Sequence, residues 1–315
     1  MVDEAAARIE KNLFVRTLFS GRLSGRHLDA VTALMSDAWF ERGQLIYREG
    51  EASLLIYFIV SGEVALETPG QAPWRFVAGD GIGFQDAMQD QPHARTARAL
   101  SDVHALAFSV EEWFDVLEGH PELGRGAVMG HARSVARMLD ELGLPAAFPR
   151  SPVEAGHVDL IHTPGLVERM LVLAEAPLFA RAGIQAVAGL ARLARTSRVP
   201  KGDILRRRGE PRGGFEVVAL GEVSLRRGDD DGAGWFSPGS VVGSLGVFAR
   251  ETHDSTLRAE SDAIVLEIRQ DDLFEGMDDH FDLARAVLAY MARERGRLMR
   301  LVADRRERAQ PAQPA

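Results

Sequence analysis

The chain repeats itself at a period of about 160 residues, and a repeat that long marks a duplicated domain rather than a solenoid unit. Leu18-Phe19 returns as Leu178-Phe179. Leu28, Val31, Leu34 and Met35 recur at helical spacing in one copy, as do Val187, Leu190, Leu193 and Ala194 in the other. Gly43 and Gly202 each open a strand that runs to a Gly-Glu pair, Gly50-Glu51 and Gly209-Glu210. Tight turns follow at Gly62 and Gly221, then Gly79 and Gly239, Gly83 and Gly243, and His93 and His253. The copies continue through Arg98-Ala99 and Arg258-Ala259 and close on acidic turns ending at Phe114 and Phe274.

Within each copy, short apolar alternations flank the glycines: Phe58, Val60, Val64 and Leu66 around Gly62, and Val217, Ala219, Val223 and Leu225 around Gly221. Such spacing predicts antiparallel strands joined by tight turns, and many short strands in series predict a small double-sheet roll. The fold class expected is mainly β with flanking α-helices, as two tandem jelly-roll-like β-rolls. The first domain is read as residues 1–142 with an N-terminal helix, and the second as 166–308 with a long C-terminal helix. Residues 143–165, broken by Pro145, Pro149, Pro152 and Pro164, read as a linker. Residues 309–315 read as a disordered tail.

The ordered set (helix, Gly-strand-Gly-Glu, strand-Gly-Glu-Val, Gly-x-x-x-Gly, Arg-Ala, helix) occurs twice and resembles the cyclic-nucleotide-binding domain. That family includes the catabolite activator and the regulatory subunits of cyclic-AMP-dependent protein kinase. The resemblance spans roughly residues 14–142 and 166–308. It implies an eight-stranded β-roll with flanking helices and a phosphate-binding cassette, IGFQDAMQDQPHARTARA in the first copy and VGSLGVFARETHDSTLRA in the second. The cassette glycine is kept as Gly83 and Gly243. The family's ribose-binding Glu is replaced by Phe84 and Ser244, and its phosphate-binding Arg by His93 and His253.

A permanently charged fork thus becomes an imidazole, mostly neutral at pH 7 at its reference pKa of about 6.5. Losing two charge-assisted contacts costs on the order of 3–6 kcal/mol, or two to four decades of affinity. Arg95 lies two residues beyond His93 and is a replacement cation if the loop presents it. The candidate ligand-binding residues are Gly83, Phe84, Gln85, His93, Ala94 and Arg95, then Gly243, Ser244, Leu245, His253, Asp254 and Ser255. The histidines are expected to face a phosphate and Phe84 to stack on a base. The candidate ligand is a cyclic nucleotide such as cyclic AMP, cyclic GMP or cyclic di-GMP. No cofactor, metal or catalytic residue is expected.

Composition narrows the rest. A net charge of −9 argues against nucleic acid as partner of the whole surface, and no room is seen for a sequence-specific DNA-reading domain. The absence of cysteine removes disulfides, thiol catalysis and Cys-type metal sites and suits the cytoplasm. The longest apolar run, Ser53–Val60, is far shorter than the ~18 residues of a membrane helix. No GxSxG elbow or HExxH motif occurs, so no enzyme is expected. His157, Asp159 and His162 read as solvated linker rather than a metal site, and Arg226–Gly234 as a hairpin turn.

The C-terminal helix carries an arginine excess and an apolar stripe of Val287, Tyr290, Met291, Leu298, Leu301 and Val302. The stripe reads as a homodimer seam or a packing face, and the first copy's matching helix as packing on its own roll. Two functional readings stand: a regulatory sensor that moves its helices toward a protein partner, or a ligand-free scaffold for protein–protein interaction.

Overall fold

Alternation about a glycine builds each hairpin of the computed structural model, which describes residues 11, 25–144, 163–228, 234–249 and 252–309. Gly62 shows why the turn residue is fixed. It sits at φ +94°, and a Cβ there would lie 2.3 Å from the Asp102 carbonyl oxygen. Gly221 repeats this at φ +77°, with the Asp262 carbonyl at 2.3 Å. Only a residue without Cβ turns the chain this tightly against its neighbour.

The first copy runs α1 (Gly25–Leu34), β1 (Ser36–Phe40), β2 (Leu45–Tyr47), β3 (Leu55–Ser61), β4 (Glu63–Glu67), β5 (Trp74–Val77), β6 (Gly81–Ile82), α2 (Phe84–Met88), β7 (Thr96–Ala99), β8 (Val103–Ser109), α3 (Val110–Gly119) and α4 (Pro121–Leu142). The second runs α5 (Leu166–Glu175), α6 (Ile184–Leu193), β9 (Arg195–Val199), β10 (Ile204–Arg206), β11 (Gly214–Leu220), β12 (Val223–Arg226), β13 (Gly234–Phe236), β14 (Val241–Val242), α7 (Ser244–Val247), β15 (Thr256–Ala259), β16 (Ala263–Arg269), α8 (Gln270–Asp279) and α9 (Phe281–Ala309). Each copy is a pair of four-stranded antiparallel sheets: β1-β8-β3-β6 with β2-β7-β4-β5, and β9-β16-β11-β14 with β10-β15-β12-β13. Strand order is the same in both. The expected mainly-β architecture of two tandem rolls is the one observed.

Side chains between the sheets form each core. In the first roll these include Tyr57, Ile59, Val64, Phe76 and Ile82, and in the second Val218, Val223, Phe236, Val242 and Val265. On β3 the core face is Tyr57 and Ile59; Phe58 lies on the other face, its ring 6.1 Å from Trp113 of α3. The register of β3 against β8 shifts between Ile59 and Ser61, so alternation counted through Gly62 slips by one residue. Burying an aliphatic or aromatic side chain in such a core contributes about 1.5–3 kcal/mol.

The chain divides into two compact units, Met1–Gly130 with Ala292–Ala315, and His131–Met291. Two helices therefore change unit along their length, α4 after Gly130 and α9 after Met291. The first copy's closing helix is counted with its own roll only as far as Gly130. In α9, the stripe residues Val287, Tyr290, Met291, Leu298 and Val302 are buried within the chain, and Leu301 is exposed. The stripe is a packing face already in use within the chain. Residues 145–162, including His157, Asp159 and His162, lie outside the described residues, as do 229–233 of the acidic hairpin segment and the tail from 310.

Candidate ligand-binding site

In both rolls the Gly-Glu pair fastens the His loop. Gly50 N–H donates to the His93 carbonyl and His93 N–H to that of Glu51, each at 2.8 Å. Gly209, His253 and Glu210 repeat the bonds at 2.8 and 2.9 Å. Past this anchor the copies diverge.

In the first roll β6 is followed by Gly83, φ +80°, where a Cβ would lie 2.7 Å from the Leu55 carbonyl, and α2 begins after it. Phe84 is not among the residues that line the neighbouring pocket. It is buried, edge-on to Trp113 at 6.2 Å. His93 is likewise buried, stacked on Tyr47 with centroids 3.6 Å apart. Its Nδ1 lies 3.2 Å from Ser53 Oγ and 3.6 Å from Asp86 Oδ2. Aromatic stacking and a polar edge hold this imidazole inside the fold, so it is not a pocket-lining group.

A small pocket, partly open to solvent, lies beside it. Gly83, Gln85, Ala94 and Arg95 line it, with Tyr47, Leu66, Trp74, Phe76, Ile82 and Asp86. Arg295 and Arg300 of α9, in the same compact unit, complete the lining. Arg95 is the buried cation, only 8% exposed. Its guanidinium lies over Trp74, 3.9 Å from the ring centroid. Its Nη2 donates to Gln71 Oε1 at 2.8 Å, while Nη1 has no hydrogen-bond partner. Burial, then the nearby Arg300, lowers its pKa. Asp86 Oδ2 accepts from Ala94 N–H at 3.2 Å and is thus engaged by the loop. Gln85 packs against Gly296 of α9, where a Cβ would fall 2.2 Å from Gln85 Nε2. Met299 and Ala303, one and two turns on, pack against the roll's core.

The second cassette is occupied by its own chain. Arg212, whose side chain is 2% exposed, donates from Nη1 to the Gly243 carbonyl at 2.8 Å and from Nη2 to Asp254 Oδ1 at 3.4 Å. Ser255 Oγ also donates to Asp254, at 3.2 Å. Ser244, His253 and Ser255 are buried; the Leu245 side chain lies outside the described residues. Arg206 Nε lies 3.1 Å from the buried Glu216, and its Nη2 2.7 Å from Glu267. Burial raises the Glu216 pKa to about 7, against the pull of Arg206. Burial and the charges of Arg212 and Arg206 lower that of His253 to about 4.

The cyclic nucleotide-binding domain model matches residues 38–120 and 196–280, more than half of the chain and one stretch per roll. The chain belongs to the cyclic nucleotide-binding domain family. Among solved structures, it is similar to the cAMP-bound regulatory domain of Toxoplasma gondii protein kinase A, at 14% identity over 96% of this chain and 97% of that one, TM-score 0.35. It is similar to a mutant regulatory subunit of a cAMP-independent protein kinase A from Trypanosoma brucei bound to cAMP, at 18% identity over 97% and 92%, TM-score 0.34. A cAMP-binding acyltransferase from Mycobacterium smegmatis matches at 20% identity over 41% and 42%, TM-score 0.34. No curated protein matches the chain in sequence. Among the described residues, no helix is long and apolar enough to cross a membrane, and no cluster of three or more metal-ligating side chains occurs.

Proposed function

We propose that this protein is a non-enzymatic cytoplasmic regulator in which the first roll senses a nucleotide and the second is a closed scaffold. The observation that carries the reading is Arg95: buried, stacked on Trp74, with one guanidinium nitrogen unpartnered beside a pocket. A buried donor without an acceptor costs about 1–3 kcal/mol, more when charged, and a phosphate oxygen would supply the acceptor. Arg95 takes over the role that the family assigns to the residue at His93. The same phosphate would draw on Arg295 and Arg300, so ligand and α9 favour each other's position. Movement of α9 is then the signal offered to a protein partner.

In the second roll, Arg212 pairs with Asp254 where a ligand would sit, which favours the scaffold reading for that copy alone. A thermal-unfolding scan with cyclic AMP, cyclic GMP and cyclic di-GMP tests the whole proposal. A ligand that binds only the native state adds about 2.7 kcal/mol at a hundredfold excess over Kd. One of these nucleotides should raise the midpoint by a few degrees, and Arg95→Gln should remove the shift. If millimolar amounts of all three leave the midpoint unmoved, the first roll is a scaffold too.

A further inference from the structure

We infer that the first-roll pocket is built for a nucleotide carrying two phosphate groups rather than one. This rests on the reading of that pocket as a nucleotide site. Two cations border it from separate elements: Arg95 from the cassette loop and Arg300 from α9. They are close enough that Arg300 disfavours the charged form of Arg95. Arg300 is exposed and forms no ion pair among the described residues. Arg295 adds a third guanidinium to the lining, its Cζ 6.0 Å over Phe76.

The carboxylate in the lining, Asp86, is already held by the Ala94 amide. Three guanidiniums against the one carboxylate leave the lining at a net charge of +2. One phosphate monoanion compensates half of it, and a second phosphate the rest. The other wall is apolar, with Leu66, Trp74 and Phe76, which suits a base or other flat ring. Two chemistries share these features: a cyclic dinucleotide and a linear nucleoside bisphosphate.

Isothermal titration of the full chain at low and moderate salt separates them. The probes are adenosine, cyclic AMP, cyclic di-AMP, adenosine 3′,5′-bisphosphate and pyrophosphate. At least one two-phosphate nucleotide should bind ten times more tightly than cyclic AMP, with the steeper loss of affinity on adding salt. Arg300→Gln, a change on an exposed side chain, should shrink that ratio to threefold or less by weakening the two-phosphate nucleotide more than cyclic AMP. Arg95→Gln should weaken both by tenfold or more. Cyclic AMP binding as tightly as both two-phosphate nucleotides would overturn the charge count and leave the nucleotide site standing. Pyrophosphate binding as tightly as either would overturn the requirement for a nucleoside. No binding by any probe to folded protein would overturn the site itself.

Discussion

The two cassettes share a backbone and differ in what fills it. Across the β2–β7 and β10–β15 ladders, Tyr47 faces Ala97 and Arg206 faces Leu257, so Tyr47 and Arg206 hold the same place. By the β3–β8 and β11–β16 registers, Tyr57 matches Glu216. A stacked Tyr47–Tyr57 pair in the first roll is thus a buried Arg206–Glu216 ion pair in the second. Ser53 and Ala94 become Arg212 and Asp254, while Arg95 and Trp74 become Ser255 and Gly234. The changes come in complementary pairs. Where the chain supplies both members of a charge pair, the cassette closes on itself. In the first roll Arg95 bonds to Gln71 rather than to a carboxylate, and its Nη1 stays without a hydrogen-bond partner.

The largest effect expected comes from the closed side. Arg212→Leu removes the guanidinium that Asp254 and the Gly243 carbonyl face in a buried setting, and breaking a buried pair in this way costs about 3–5 kcal/mol. Ser53→Ala, its counterpart, should cost about 1 kcal/mol, one ordinary hydrogen bond. Urea denaturation of both variants makes the comparison, and equal costs would break it.

Next comes pH. Glu216, with its pKa raised to about 7, binds a proton in the folded state that the unfolded chain has released, so its contribution falls as pH rises from about 4.5 to 7. His253, lowered to about 4, does the reverse: its contribution is lost as pH falls from about 6.5 to 4. The slopes oppose and largely cancel in wild type. His253→Gln should therefore leave a chain that gains up to about 3 kcal/mol on acidification from pH 7 to 4.5, and Glu216→Gln one that loses a similar amount between pH 6.5 and 4. Denaturation curves across this range check both signs. A variant with unchanged slope would remove that group from the account.

The smallest effect belongs to the helix over the open pocket. Gly296→Ala places a methyl on Gln85, but the atom it meets ends a flexible side chain, and alanine gains about 1 kcal/mol of helix propensity. The thermal midpoint should shift by no more than a few degrees. A loss above about 2 kcal/mol would mean that Gln85 is locked against α9.

The rolls were legible because glycine punctuation is a local constraint and the duplication states it twice. The cassette loops were legible for the same reason, and Arg95 could be named because it sits beside the expected position. The orientations of Phe84 and His93 were not, since Trp113 and Tyr47, which capture them, are distant in sequence. Arg212 left a trace that comparing the copies could have found: an arginine and an aspartate appear together where the first copy has Ser53 and Ala94. Arg295 and Arg300 showed only as basic residues on an amphipathic helix. Which surface that helix covers is a tertiary fact with no local signature.

That last contact sets an order of events during synthesis. Arg95 leaves the ribosome some two hundred residues before Arg295 and Arg300. At about 5–20 residues per second, the first roll can fold tens of seconds ahead of the helix that finishes its pocket. Until then it has the buried arginine without its two distant companions, and a chain stopped before Ala292 would never acquire them. The earliest domain to fold would then be the last to gain these arginines, and its pocket would report that synthesis has passed Arg300.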